Sequence, residues 1–210
     1  MKIVIFGANG KTGFLLVEYA LSKGHQVIAF TRRLKSLALR HPNLTKVVGQ
    51  LDNLEKLKEA ISGSDACISA LGGRSITKHA HEIINGIDNI VSIMEQESVP
   101  RMIYLSSIGA GDSRKYMALP IRILIANIIL RVPLADHTTN EKRIAKSNLQ
   151  WTVVRPGGLN DDLVSDILFH GSEKTKLKGS PGISRANVAA FMLQQLADNE
   201  YINKNVWLYE

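Results

Sequence analysis

Gly7, Gly10 and Gly13 recur three residues apart, with Ala8, Asn9, Lys11 and Thr12 between them. A short apolar run, 2–6, leads into the triplet, and an amphipathic stretch, 14–23, leads out of it. A strand, a glycine turn and a helix start in that order make an anion site. The N–H groups of a helix's first turn lack intrahelical partners and lie at the positive end of the macrodipole. Glycine lets the backbone approach a phosphate with no Cβ in between. Gly10-Lys11-Thr12 also matches the end of the triphosphate-binding pattern G-x-x-x-x-G-K-[ST], whose first glycine would have to stand at position 5. Ile5 occupies that position, so the spacing favours the pyrophosphate of a dinucleotide. Gly7, Asn9, Gly10, Lys11, Thr12 and Gly13 are its expected holders.

The other candidates stand where later apolar runs end, because an open α/β sheet binds ligands beyond the carboxyl ends of its strands. The run 26–31 is followed by Arg32 and Arg33. A site selective for NAD usually carries an acid about 20 residues after the glycine turn, and no Asp or Glu occurs from Val27 to Leu39. Two guanidinium forks there suit the 2′-phosphate of NADP(H). Gln50, Leu51 and Asp52 follow the run 45–49 as a wall for adenine. Leu71, Gly72, Gly73 and Arg74 follow 66–70, with glycines that permit close approach and an arginine for phosphates or an anionic substrate. The run 101–106 ends in Ser106 and Ser107, which bring hydroxyls to the nicotinamide, and Pro156 follows the run 150–154.

These junctions need a frame. With 210 residues, 45% hydrophobic, the chain is long enough for one well-filled domain covering 1–210. Strands are expected at 2–6, 26–31, 45–49, 66–70, 101–106, 150–154 and 205–209, each nearly continuous in apolar residues, as parallel strands covered on both faces are. Helices are expected at 12–23, 53–62, 77–96, 137–147 and 184–197. The alternation predicts an α/β, Rossmann-like, doubly wound parallel sheet of about seven strands with helices on both faces. The glycine-rich segment 157–183 is the expected substrate-pocket loop region. The apolar stretch 121–130 is expected to line that pocket or a subunit contact, which makes a homodimer an expectation as well.

Composition excludes other classes. Cys67 is the single cysteine, so an internal disulfide framework is excluded and a reducing, cytoplasmic setting is expected. Its apolar surroundings favour a buried structural thiol. The segment 117–134 is interrupted by Pro120, Arg122, Arg131 and Pro133, so no membrane span is expected. The net charge of +7 comes without long Lys/Arg blocks or interleaved aromatics, so an anionic cofactor is favoured over nucleic acid. His79 and His81, two apart in the expected helix 77–96, would diverge by about 200° and are read as surface residues, with no metal site.

The chain resembles the atypical short-chain dehydrogenases/reductases. The resemblance rests on Gly7-x-x-Gly10-x-x-Gly13, Leu105-Ser-Ser-Ile-Gly-Ala-Gly111, Trp151-Thr-Val-Val-Arg-Pro-Gly157 and Ile183-Ser-Arg-Ala-Asn-Val-Ala-Ala190. It spans essentially the whole chain and is nearest to the NmrA-like and flavin reductase/biliverdin-IXβ reductase branch. The resemblance implies an NAD(P)-binding Rossmann domain. It also exposes a departure. The family's Tyr-x-x-x-Lys pair, a proton donor and the lysine that lowers its pKa, aligns with Pro133 and His137. Tyr19-x-x-x-Lys23 lies on the first helix and is a coincidence.

A carbonyl reductase needs a positioned acid for the developing alkoxide. Without that tyrosine, the expected reaction is hydride transfer from NADPH to a planar conjugated small molecule, such as a flavin or quinone. Ser107 and His137 are expected to hydrogen-bond that acceptor or the nicotinamide amide, with Tyr116 as a candidate proton donor. Biliverdin-type reductases carry a histidine shortly after the proline of the sixth junction. Gly157-Gly158-Leu159 stands there instead. The alternative function is a non-catalytic NADP(H)-sensing regulator.

Overall fold

In β1 (Lys2–Phe6) side chains alternate between two cores. Ile3 and Ile5 join one apolar cluster, whereas Val4 and Phe6 join another, and all four are fully buried. A strand hydrophobic on both sides has to lie inside a sheet covered twice. The structure, a computed structural model, describes all residues except 35–36, 74, 163, 165–167 and 173–181.

The first cluster is closed by α1 (Lys11–Ser22) and α6 (Arg185–Gln194), which pack on each other. The second is closed by α2 (Leu54–Ile61), α3 (His81–Gln96) and α5 (Arg131–Ala145). Between them lies a sheet in the order β3-β2-β1-β4-β5-β6-β10-β8. Its members are β1, β2 (Gln26–Thr31), β3 (Leu44–Val48), β4 (Ala66–Ser69), β5 (Arg101–Leu105), β6 (Gln150–Pro156), β8 (Phe169–Gly171) and β10 (Lys204–Tyr209). All neighbours are parallel except β8, which runs antiparallel to β10. A second, two-stranded sheet pairs β7 (Gly158–Asn160) with β9 (Gly182–Ser184). The chain winds outward from β1 through β2 to β3, then returns to place β4 on β1's other side. The switch point therefore lies at the C-terminal ends of β1 and β4.

The doubly wound parallel sheet is as expected, but it has eight strands rather than about seven. The extra strand, β8, falls in the segment expected to be loop. Period-2 patterning could not reveal three residues, which are fixed by tertiary contacts: Phe169 stacks on Tyr209, and His170 bonds the Tyr201 hydroxyl at 2.9 Å. Helix α5 begins at Arg131, six residues before the expected start at 137, because Pro133 falls in its first turn, where no N–H is needed. Helix α3 begins at His81, not 77, because the Ser75 hydroxyl takes the N–H groups of Thr77 and Lys78 into a turn.

The apolar stretch is a short α-turn, α4 (Leu119–Ile121), running into a π-helix at Arg122–Ile129. Ala126 is buried, whereas Leu119, Ile123, Leu124 and Ile128 are exposed, so it is not a core helix. No helix among the described residues is long and apolar enough to cross a membrane. Cys67 is a buried free thiol whose pKa burial pushes up, which leaves it a structural residue.

Candidate functional site

The glycines of the turn have different jobs. Gly7 has φ +78°, and a Cβ there would stand 2.7 Å from the Ala70 carbonyl oxygen at the exit of β4. A Cβ on Gly13 would stand 2.0 Å from the Gly7 carbonyl oxygen. These two let β1, β4 and α1 come together. Gly10 is the N-cap of α1, with an ordinary extended backbone and its nearest obstacle 3.3 Å from a Cβ. No side chain caps α1, and its first turn carries no acid. The positive end of that dipole is thus left for an anion.

The turn opens on a cleft of about 550 Å³ at the switch point between β1 and β4. Gly7, Asn9 and Gly10 form its floor, and Arg32 stands where β2 ends. Gln50, Leu51 and Asp52 line it after β3, and Leu71 and Gly72 after β4. Helix α3 supplies a wall that sequence patterning did not single out, through Glu82, Ile83, Asn85, Gly86 and Asn89. Asn89 donates to the Leu51 carbonyl at 2.9 Å, and a Cβ on Gly86 would meet the Leu51 side chain at 2.6 Å. A glycine inside a helical apolar pattern was the available signal, since it marks close packing.

The remaining turn residues lie beside the cleft. Lys11 forms a surface ion pair with Asp161, which also receives Arg185 at 2.6 Å. Lys11 and then Arg185 hold the Asp161 carboxyl below its usual range. Thr12 is buried in the first turn of α1. Arg33 is exposed next to Arg32, and its carbonyl accepts the Thr31 hydroxyl at 3.3 Å. Gly73 approaches Ala80, where a Cβ would come within 3.1 Å. Arg74 lies outside the described residues.

Across the switch point, over β5 and β6, polar side chains are engaged with one another. Ser106 is buried and donates its hydroxyl to Glu141 Oε1 at 2.6 Å. Arg155 donates to both oxygens of Glu141, at 3.0 and 2.8 Å, and to Asp112 Oδ1 at 2.7 Å. Burial by itself would lower the Arg155 pKa, but the Glu141 and Asp112 bonds outweigh it and raise it. His137 meets the Tyr104 hydroxyl through Nδ1 at 2.8 Å, and that hydroxyl accepts from Asn140 Nδ2 at 2.9 Å. Burial pushes the His137 pKa down, against the nearby Glu141 and Asp136 carboxylates. Ser107 is half-buried and donates to the Ile108 carbonyl at 3.1 Å. Tyr116 packs on Trp207 of β10, with ring centroids 5.4 Å apart. Pro156 is buried at the end of β6, where its carbonyl accepts Ile108 N–H at 2.9 Å. Ser107, His137 and Tyr116 thus each have a different partner rather than forming one cluster.

His79 and His81 do not diverge as a continuous helix would require. His79 precedes α3, and the two rings lie 5.8 Å apart. Half-exposed His79 donates Nδ1–H to Asp136 Oδ1 on α5, while Asp136 Oδ2 accepts Ala80 N–H at 2.9 Å. No group of three His, Cys, Asp or Glu side chains able to hold a metal occurs among the described residues.

The comparisons agree with this geometry. A family profile described as NAD(P)H-binding matches residues 7–199. An uncharacterized chloroplast protein of Arabidopsis thaliana, At2g34460, is 30% identical over 95% of this chain and 73% of its own length. The chain spans less than half the length of two other curated relatives. Two solved structures share the fold over the whole chain. ChuY of Escherichia coli O157:H7, described as an anaerobillin reductase, has a TM-score of 0.84 at 22% identity, with 97% of its chain covered. A Veillonella parvula short-chain dehydrogenase/reductase in complex with NADP has a TM-score of 0.84 at 18% identity, with 94% covered.

Proposed function

The chain belongs to the NAD(P)H-binding family, and from that premise we propose that it is an NADPH-dependent reductase acting on a planar conjugated acceptor. The carrying observation is Arg32, which lines the cleft at the end of β2 in a stretch, Val27 to Leu39, without an acid. A guanidinium at that corner favours a 2′-phosphate over a 2′-hydroxyl. The cleft fits the group: α1 offers an uncapped N-terminus beneath it, and a volume near 550 Å³ lies in the range of pockets that take small ligands and cofactors. When bound, the cofactor supplies a hydride. The chain's own residues hold the pyrophosphate at Gly7–Gly10 and position the adenosine between Arg32 and Leu51. The nicotinamide end would extend across the switch point, toward β5 and β6.

The structural neighbour described as an anaerobillin reductase supports a reductase reading. The flavin or quinone choice follows from Pro133 standing where the family has tyrosine. NADPH oxidation against riboflavin, FMN and menadione tests it, together with calorimetric titration of NADPH and NADH. Equal affinity for the two cofactors would remove the NADPH assignment. Saturating NADPH with no acceptor-dependent oxidation would leave the second reading, an NADP(H) sensor. The observation favouring that reading is that His137 is turned inward onto the Tyr104 hydroxyl at 2.8 Å, with burial lowering its pKa.

A further inference from the structure

We propose that His79, held by Asp136, is the proton donor of this site, an assignment that rests on the hydride-transfer reading above. In sequence His79 falls between two sets of cleft-lining residues, Leu71 and Gly72 at the exit of β4 and Glu82 and Ile83 at the start of α3, and does not itself line that cleft. Its partner Asp136 is on α5, the helix that follows β5 and precedes β6. The pair thus bridges the β4 loop and α5. Arg32 and Gln50–Asp52 lie on the far side of the β1–β4 switch point, at the ends of β2 and β3. A dinucleotide held with its 2′-phosphate at Arg32 and its pyrophosphate at Gly7–Gly10 would extend its nicotinamide end past β4, toward the side of the pair.

The chemistry of the pair suits a donor. Asp136 is 12% exposed and His79 is 49% exposed, so the carboxylate is inside and the imidazole faces out. Both carboxylate oxygens are engaged, one by Ala80 N–H and the other by His79 Nδ1–H. That bond orients the ring and keeps a proton on Nδ1, leaving Nε2 as the atom that gives or takes one. Ser107 donates its hydroxyl to a backbone carbonyl, and His137, its Nδ1 on the Tyr104 hydroxyl, is the less exposed of the two histidines. The titratable groups facing His79 are Asp136 on α5 and His81 at the start of α3, with Lys78 and Glu82 near it in sequence.

The step balances. The hydride's pair forms the new C–H bond on the acceptor as one C–H bond breaks on the cofactor, and the acceptor's displaced π pair moves to its oxygen. Protonated His79 gives its Nε2 proton to the atom holding that pair, becomes neutral, and regains a proton from water. A donor at this place extends the substrate class to conjugated carbonyls, whose reduction leaves a localised oxyanion, such as enones.

The test uses the full chain with histidine labelling. The His79 resonance, assigned by its loss in His79→Gln, should shift on addition of NADP⁺. His79→Gln should bind NADPH within about twofold of wild type, with an unchanged circular dichroism spectrum. With 2-cyclohexenone and menadione as acceptors, His79→Gln should lower kcat at least thirtyfold on the enone with little change in KM. It should also abolish the fall of kcat at alkaline pH, and added imidazole should restore turnover. Asp136→Asn should give a smaller loss with the same direction. A His79 resonance unmoved by saturating NADP⁺ would overturn the assignment while leaving the cofactor reading standing. Wild-type kcat and pH profile in His79→Gln would do the same. Failure of NADPH itself to bind would overturn both.

Discussion

The two sides of the switch point are built by opposite means. On the β1–β2–β3 side the site is made of backbone, glycine and a helix start, and side chains such as Arg32 and Gln50 stand at its edge. Over β5 and β6 the polar side chains are bonded to each other: Ser106 and Arg155 to Glu141, and Tyr104 to His137 and Asn140. The first half holds its polar groups ready for a ligand, and the second uses them to hold α5 against the sheet. The lesson is that a hydroxyl at a strand end is not by position alone a ligand contact. The His79–Asp136 pair differs from the polar groups over β5 and β6 in exposure: the His79 side chain is 49% exposed, whereas Ser106, Glu141 and Arg155 are buried.

The sharpest break in the comparison is expected on the side-chain half. Glu141→Leu leaves the Arg155 guanidinium buried with only Asp112 at its outer edge, and should destabilise the fold by about 3–5 kcal/mol in urea unfolding. The proposed cofactor contacts at Gly7–Gly10 are untouched, so any folded fraction should keep its NADPH affinity.

On the backbone half the same kind of change should separate two glycines. Gly10→Val puts a branched side chain where we propose that the pyrophosphate is held, at a position with ordinary φ. NADPH affinity should fall at least about a hundredfold, near 2.7 kcal/mol, with thermal stability little altered. Gly13→Ala should instead cost about 1–3 kcal/mol of stability, because its Cβ meets the Gly7 carbonyl. If both variants lost stability equally, Gly10 would be a turn residue and no more.

Arg32→Ala should reduce the preference for NADPH over NADH by about tenfold, near 1.4 kcal/mol, measured by calorimetry. High salt should shrink the wild-type preference in the same direction, since an exposed guanidinium is screened. An unchanged ratio would move the 2′-phosphate contact away from Arg32.

The smallest effect concerns His137. Its folded pKa lies below the unfolded value because burial disfavours the imidazolium. The unfolded chain therefore binds the extra proton first as pH falls. The stability tied to a neutral ring is fully present above about 6.5 and is lost as pH falls through the depressed folded value. Urea midpoints at pH 7.5 and 5.5 should show a larger drop in wild type than in His137→Gln, which keeps an acceptor for the Tyr104 hydroxyl.

Local order carried much of this protein in its sequence. The β1 run, Gly7-x-x-Gly10-x-x-Gly13 and the amphipathic α1 specify a βα unit with an anion site. The missing acid after β2 is legible one residue at a time. Nearly continuous apolar runs separated by helices specify a parallel sheet, because a strand apolar on both faces has to be covered twice.

What tertiary structure alone decided is which polar groups meet. Ser106 and Glu141 are 35 residues apart in sequence, and His79 and Asp136 are 57. Their pairing depends on α5 packing against α3 and the sheet, not on any local spacing. β8 and the early start of α5 were hidden for the same reason: three residues against Tyr209 and a proline in a first turn are settled by neighbours, not by periodicity. Local sequence sets the backbone's dihedrals and which faces are apolar, whereas the partners of buried polar side chains are set by the packing of those faces.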